Sequence, residues 1–459
     1  MHLLFLTSNN LATNPRLFKE IRLAQELNHQ CTLIQFKMGN WSDKKTDELI
    51  NRLIENNTQD ATNQIITSSP SASGHANPQI INLNATQTNK LTWLKWGLME
   101  KVAQKVYALF RHNLYFNALA SSRRSMQINQ AVKQLAIKPD IICAHNLATL
   151  YPAYSIGKKW DIPFVFDVED YHPGEFIRFD AKNEKSRREF LMKTLLPKSA
   201  ALTSASPLIG DYTLQLIGGH PNHQVVLNSF PQNDFVFPKP QTPSPNASGA
   251  LRLVWFSQKI SFGRGLEQLF DALLILLSSN APKPQTPNPI TLTLIGDLDP
   301  QFNQQIIQPF INTLNPKSYN LHSHLSLLIK PPLSQTSLHA ELAHHTIGLA
   351  LEPGKDLNNE LAISNKIMAY AQAGLYILAT DTPAQKQFIE QHAGAGIVCQ
   401  QSTKALADAI EQLSFECNAI HSGQQERFEQ GQGLTWEEEA NKIKNLWSVI
   451  NSQLGKVAP

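Results

Sequence analysis

The chain runs twice through the same succession, short apolar runs alternating with amphipathic helical stretches, and a Pro- and Ser-rich segment at 231–250 separates the two series. Alternation of this kind builds a parallel sheet with helices on both faces, because strand–helix–strand crossovers are right-handed and return the chain to the same sheet. The first series opens with "HLLFLTS" (2–8), an Asn14-Pro15 cap and first-turn proline, and Leu17, Ile21, Ala24 and Leu27 at helical spacing before "CTLIQF". It continues through "PDIICAH" (139–145), "IPFVFDVED" (162–170), "SAALTSAS" (199–206) and "QVVLNSF". The second series has "LRLVWFS" (251–257), a helix at 266–277, "ITLTLIGD" (290–297), "IGLALE" (347–352), "YILATD" (376–381) and "GIVCQ" (396–400).

A chain of 459 residues is too long for one ordinary core. The fold expected is α/β, with two doubly wound, Rossmann-like domains facing each other across a cleft. Their boundaries read as 1–230, a linker at 231–250, and 251–433, with an amphipathic helix in 434–459 packing back on the N-terminal domain. Residues from about 42 to 90 are rich in Asn, Thr, Gln and Ser and read as a mobile insertion.

Net charge is only +3, which gives nucleic-acid binding no support. Cys31, Cys143, Cys399 and Cys417 are scattered without C-x-x-C spacing, arguing against a disulfide framework or a zinc site. The opening "MHLLFLTSNN" is too short and lacks the basic start of a signal peptide, so a cytoplasmic protein is expected. Between 91 and 135, aromatics interleave with Lys and Arg. Such a stretch is either a packed helical face with a solvated basic side, or a peripheral contact with an anionic membrane or a lipid-linked acceptor.

Candidate chemistry gathers where strands end, since open parallel sheets bind ligands at their carboxyl edges. In "SQKISFGRGLEQLFDAL", Lys259, Arg264 and two glycines stand between a strand and a helix start, and the arginine fork suits phosphate. In "ELAISNKIMAYAQAGLYILATDTPAQ", helix-start N–H groups near Ser364 and Asn365 favour negative charge, and Lys366 adds a full positive one. Asp297 and Asp299 in "GDLD" resemble a metal-binding pair, but they follow a buried strand, where Gly296 is expected to admit a nucleotide; no metal or other cofactor is called for. Pro331 and Leu333 are further candidates for the nucleotide wall. The cluster Asp167, Glu169, Asp170, His172 and Glu175 can orient an acceptor hydroxyl or take its proton, with Glu169 and His172 facing the cleft, or can serve in caps and salt bridges.

"NPRLFKEIRLAQEL", "PDIICAH", "FDVEDYHPGE", "SFGRGLEQL" and "NKIMAYAQAGLYILATDTPAQ" together resemble the GT-B glycosyltransferases, family four in particular, in a variant subgroup with an NK motif. The resemblance implies transfer of a hexose-type sugar from a nucleotide diphosphate donor to a surface-glycan or lipid-linked acceptor, with retention and without a bound metal. It implies that Arg264, Ser364, Asn365 and Lys366 hold the diphosphate and that His145 faces the donor sugar. With Gly374 setting the register, the family's two glutamates fall on Leu361 and Ala369, while Glu352 and Glu360 stand out of register. Loss of one charged hydrogen bond to the ribose, worth about 1.5–3 kcal/mol, weakens donor binding roughly 10- to 150-fold. The family's N-terminal glycine pair is replaced by Asn9 and Asn10. A non-catalytic GT-B relative acting as a nucleotide-sugar-binding subunit is the competing reading, and a two-lobed solute-binding protein would need export.

Overall fold

The computed structural model describes residues 1–63, 77–84, 86, 90–237, 250–278, 288–314 and 325–455. They form two compact units, one of Met1–Val226 with Ala440–Pro459, the other of Leu227–Glu439.

Unit 1 holds seven strands: β1 His2–Thr7, β2 Gln30–Lys37, β3 Gln79–Asn84, β4 Ile141–His145, β5 Phe164–Val168, β6 Ala201–Ser204 and β7 His223–Val225. All pair in parallel, in the order β3-β2-β1-β4-β5-β6-β7. The unbroken apolar runs of β1, β4 and β5 follow from burial on both faces. Leu3, Leu4, Phe5 and Leu6 are fully buried, each worth about 1.5–3 kcal/mol over an exposed side chain. Helix Pro15–Glu26 starts where Asn14 accepts from the Leu17 N–H, and it buries Leu17, Ile21 and Ala24; Leu27 caps its end and stays partly exposed.

The polar stretch after 42 departs from the expected loose insertion. Helix Trp41–Asn63 buries Ser42, Thr46 and Leu53, and β3 adds an edge strand to β2. Its helical signal is one residue per turn and is easily hidden among Asn and Thr. Residues 64–76, 85 and 87–89 of the proposed insertion lie outside the described residues.

Unit 2 holds β8 Leu251–Ile260, β9 Ile290–Leu298, β10 Leu325–Lys330, β11 Ile347–Ala350, β12 Tyr376–Thr380 and β13 Gly396–Cys399. They too are all parallel, in the order β10-β9-β8-β11-β12-β13. Strand β8 runs past Ser257, with a bulge between Phe256 and Lys259 opposite β9. The front of the proposed linker belongs to this unit, since Phe235 is buried in an apolar cluster with Ile367, Tyr370 and Ile377; residues 238–249 lie outside the described residues.

The last helix, Trp436–Gly455, carries its later turns into unit 1. There Trp447, 2% exposed, meets Phe5 edge-on at 6.4 Å between ring centres. Trp447→Ala is expected to destabilise unit 1 by about 3–5 kcal/mol, the range for emptying a buried aromatic site. A lowered urea midpoint checks this, and an unchanged midpoint would show that the helix is not part of that core.

Candidate functional site

In each sheet the strand order reverses once, between β1 and β4 in unit 1 and between β8 and β11 in unit 2. Chains leaving neighbouring strands there turn to opposite faces, and the opening between them is where such sheets bind ligands.

In unit 1, β4 ends at His145 and the next residue, Asn146, takes φ 71° before helix Leu147–Trp160 begins. Side-chain bonds offset that uncommon conformation. Asn146 accepts from the Thr7 hydroxyl at 2.8 Å and donates Nδ2 to Glu169 at 2.9 Å. The other Glu169 oxygen lies 3.0 Å from His145 Nδ1.

His145 itself is 0% exposed. Its ring has Glu20 at 3.4 Å on Nε2, and Asp167 and Glu169 at 3.3 and 3.0 Å on Nδ1. Arg16 forks onto Asp167 at 2.7 and 2.8 Å, and Thr203 donates to the same carboxylate. Burial alone would lower the imidazole pKa, but the Glu20 charge and bonds to Asp167 and Glu169 carry it well above its ordinary value. Against burial, Arg16 and then His145 hold the Asp167 carboxyl well below its own. Expected to meet a sugar, His145 is instead enclosed by three carboxylates. In this structure it bonds Glu169, which in turn accepts from Asn146.

Ligand atoms of Glu20, His145 and Asp167 lie within 4.8 Å of one another, a spacing that suits a metal ion. The surroundings do not fit one. Both Asp167 oxygens are taken by Arg16, a dication would sit against that guanidinium, and the adjoining cavity, about 10 Å³, has room for about one water.

A larger cavity of about 220 Å³ opens at the carboxyl ends of β1, β4 and β5. Ser8, Asn146, Ala148, Asp170, His172 and Arg188 are among its walls. His172 is 6% exposed; its Nδ1 lies 3.1 Å from Glu175, its carbonyl accepts from Arg188, and its Nε2 has no hydrogen-bond partner among the described residues. Burial opposes protonation of this ring, but the hydrogen bond and charge of Glu175 outweigh it and raise the pKa. Glu169, by contrast, is engaged with His145 and Asn146.

In unit 2, Arg264 is exposed and donates to Ser257 Oγ at 3.0 Å, at the bulge of β8. Ser364 caps helix Asn365–Gln372, accepting from the Ile367 N–H. Lys366 pairs with Glu352, just beyond β11, and lies 5.8 Å above the Trp255 ring. Burial raises the Glu352 carboxyl, and Lys366, a hydrogen bond from Ser364 and the Arg264 charge together bring it below its usual value. Lys366 is therefore the ion-pair partner of Glu352, Ser364 bonds the same carboxylate, and the Arg264 charge acts on it. Glu352, set aside on register, is the residue that sequence reasoning missed; its position at the end of a strand beside the order reversal was the available signal. Asn365 stands apart in its bonding, accepting from Asn228 at 2.8 Å.

The nucleotide-wall residues divide differently. Gly296 has φ +155°, and a Cβ there would come within 2.5 Å of the Ser257 carbonyl, so the glycine admits the bulge of β8. Pro331 and Leu333 follow the edge strand β10, which β9 separates from β8; Leu333 packs on the cluster of Phe235 and Ile295. Asp299 caps the turn at Gln301 and Phe302, and Asp297 faces Lys259 across the strands. Leu361 and Ala369, at the register of the family's glutamates, are both buried.

Two Rossmann-like parallel units and a long terminal helix make this the GT-B fold. Anabaena Alr3699/HepE, solved in complex with UDP, is 13% identical with a TM-score of 0.60, covering 98% of this chain and 100% of that one. A UDP-forming α,α-trehalose-phosphate synthase from Burkholderia xenovorans is 12% identical at TM-score 0.60, with coverage of 98% and 100%. Sucrose-phosphate synthase from Thermosynechococcus elongatus is 12% identical at 0.58, with coverage of 99% and 100%. No family model matches the sequence, and no curated protein matches it. Identities this low establish the fold.

The buried cluster of unit 1 has a defined pH signature. Asp167, with a depressed folded pKa, contributes stability above its unfolded value of 3.8 that is lost as pH falls. His145, with a raised one, contributes fully below its unfolded value of 6.5 and loses that contribution as pH climbs through its folded value. Asp167→Asn, leaving Arg16 buried without its partner, is expected to cost about 3–5 kcal/mol. His145→Asn should flatten the decline of stability on the alkaline side, and urea titrations across pH that show the same decline in both proteins would contradict the assignment.

Proposed function

We propose that the chain is a glycosyltransferase that moves a sugar from a nucleoside diphosphate donor held by unit 2 to an acceptor hydroxyl held by unit 1. The observation that carries this reading is the Lys366–Glu352 pair at the Ser364-capped helix start beside the β8/β11 reversal, with the exposed Arg264 held by Ser257 at the end of β8 and its charge acting on the same carboxylate. A diphosphate brings more charge than Glu352 and can draw the flexible Lys366 away from it, while Arg264 offers a planar fork from an exposed position. As the bond to the sugar breaks, these fixed donors stabilise the charge gathering on the leaving diphosphate. Retention, and neutralisation of that charge by side chains rather than a divalent ion, belong to the same proposal. Similar structures support this donor class: HepE was solved in complex with UDP and glucose, and the Burkholderia synthase is UDP-forming.

On the acceptor side, the unpartnered Nε2 of His172 and the cavity around it provide a place for a hydroxyl, with Asp170 and Glu175 as nearby carboxylates. His145 acts by orienting Glu169. The acceptor is proposed to be a surface glycan or a lipid-linked one, with the protein in the cytoplasm. Lys366→Ala and Arg264→Ala should each weaken UDP binding by about tenfold or more in calorimetry. Unchanged affinity in both would remove the donor site. Buried Leu361 and Ala369 favour a second reading, a nucleotide-sugar-binding subunit without turnover; slow release of UDP from UDP-glucose by wild-type protein, absent in Lys366→Ala, would exclude it.

Peripheral membrane contact has its own support. Helix Lys90–Lys105 turns Leu91 (82% exposed), Leu94, Leu98 (65%) and Val102 outward along one stripe, among Lys90, Lys95, Lys101 and Lys105. Among the described residues no helix is long and apolar enough to cross a membrane. An exposed apolar stripe flanked by lysines suits the surface of an anionic bilayer, each lysine adding about 1 kcal/mol near it. Wild-type protein should sediment with phosphatidylglycerol vesicles, and a Leu94→Glu, Leu98→Glu double variant should stay in the supernatant. Equal sedimentation of the two would rule out this face.

A further inference from the structure

In unit 2 the turns that follow β8 and β11 interlock. Gly265 has φ +78°, and a Cβ there would stand 2.7 Å from the Leu351 carbonyl, so a glycine is what lets the two turns meet this closely. Within the β11 turn Gly354 takes φ +51°, and the next residue is Lys355. The turn is held on both sides of that lysine. Glu352 before it pairs with Lys366, and Asp356 after it caps helix Leu357–Leu361, accepting from the Asn359 N–H at 2.8 Å. Lys355 reaches across to the other turn: its Nζ lies 3.1 Å from where a Gly263 Cβ would stand, one residue from Arg264. Both cations are exposed, and neither makes an ion pair among the described residues. Glu267 accepts from the Gly263 N–H and holds that loop without pairing with either of them.

We infer that Lys355 is a further phosphate-binding residue, which meets the diphosphate of the donor together with Arg264 from across the interlocked turns. Lys366 has to leave Glu352 before it can serve an anion, whereas Lys355 has no partner to release. Two like charges carried on turns in contact repel each other, and an anion seated between them turns that repulsion into two attractions. A diphosphate has oxygens enough to meet the planar arginine fork and the compact ammonium at once. Lys355 lies outside the segments that resemble the GT-B family, so this contact belongs to the chain's own β11 turn. The role rests on the donor site proposed above, and the test separates the two.

UDP is titrated calorimetrically into the full chain and into Lys355→Ala, Lys355→Arg, Arg264→Ala, Lys366→Ala and Lys404→Ala. Lys404 is the control: it is exposed and follows β13, two strands from β11. Lys355→Ala should lower UDP affinity about tenfold or more, and Lys355→Arg, which keeps the charge, should stay within about threefold of wild type. Lys404→Ala should bind UDP as wild type does. Thermal midpoints of the Lys355 variants should hold, because the side chain is exposed and folding is not at stake. The inference is overturned if Lys355→Ala binds UDP like wild type, or if Lys404→Ala loses as much, which would mark the net charge of the unit rather than a contact. Loss in Arg264→Ala and Lys366→Ala with none in Lys355→Ala removes this residue and leaves the donor site standing. Wild-type protein that does not bind UDP, or no loss in any of the three, removes both.

Discussion

Parallel strands joined by right-handed crossovers force a single reversal of strand order if helices are to cover both faces, and at that reversal two neighbouring strand ends stand uncovered. Everything chemical in this chain is arranged around that constraint, met twice. In unit 1 the uncovered ends are β1 and β4, and the first residue out of β4, Asn146, ties Thr7 to Glu169 across the gap. In unit 2 they are β8 and β11: Arg264 bonds Ser257 where β8 bulges, and Glu352, just beyond β11, pairs with Lys366 from the helix Asn365–Gln372.

The two openings treat charge in opposite ways. Unit 1 buries its ions: Arg16 and the imidazolium of His145 are set against Glu20, Asp167 and Glu169, all close together and nearly or fully out of solvent. Removing any partner leaves an uncompensated charge, so the cluster is rigid and unsuited to exchange with a ligand. In unit 2 the Lys366–Glu352 pair is partly solvated and Arg264 is exposed. At an effective dielectric near 20, a contact pair of unit charges is worth about 4 kcal/mol before desolvation is counted, and a doubly charged competitor can exceed that. Rigid charge therefore frames the first opening, and exchangeable charge the second.

Most of the sheet was legible because its strands are buried on both faces and read as unbroken apolar runs, β4 and β5 above all. Helix Trp41–Asn63 was not, since among residues 41–55 it buries only Leu53 of its large apolar side chains and exposes Trp41 and Ile54 among Lys44, Lys45, Glu48 and Arg52. The cations Arg264 and Lys366 were legible from their place between strand and helix. Which anion they share was not, because Glu352 and Lys366 are distant in sequence and meet only when β11 and the helix Asn365–Gln372 pack together. Burial of His145 was hidden for a similar reason: Arg16 and Glu20 arrive from the first helix and Asp167 from β5, far apart in sequence. Gly296 also gives clearance to the neighbouring strand, a demand that depends on a bulge no local pattern announces.

The fate of the family's second glutamate position follows from packing in unit 2. Ala369 is 0% exposed, in a cluster with Ile367, Tyr370 and Ala379. The Tyr370 ring fills the space over Gly348, where a Cβ would stand 2.2 Å from the ring, and its hydroxyl donates to the carbonyls of Val254 and Leu349. A carboxylate introduced at Ala369 would enter that apolar layer without a partner, at a cost of several kcal/mol unless it took a proton. The helix behind Lys366 thus serves to anchor the lysine against β8 and β11 rather than to add an acid of its own. In the donor site proposed above, a ribose would be gripped from outside that layer, which would leave the proposed diphosphate contacts of Arg264 and Lys366 with a larger share of donor recognition than a chain with both glutamates would require.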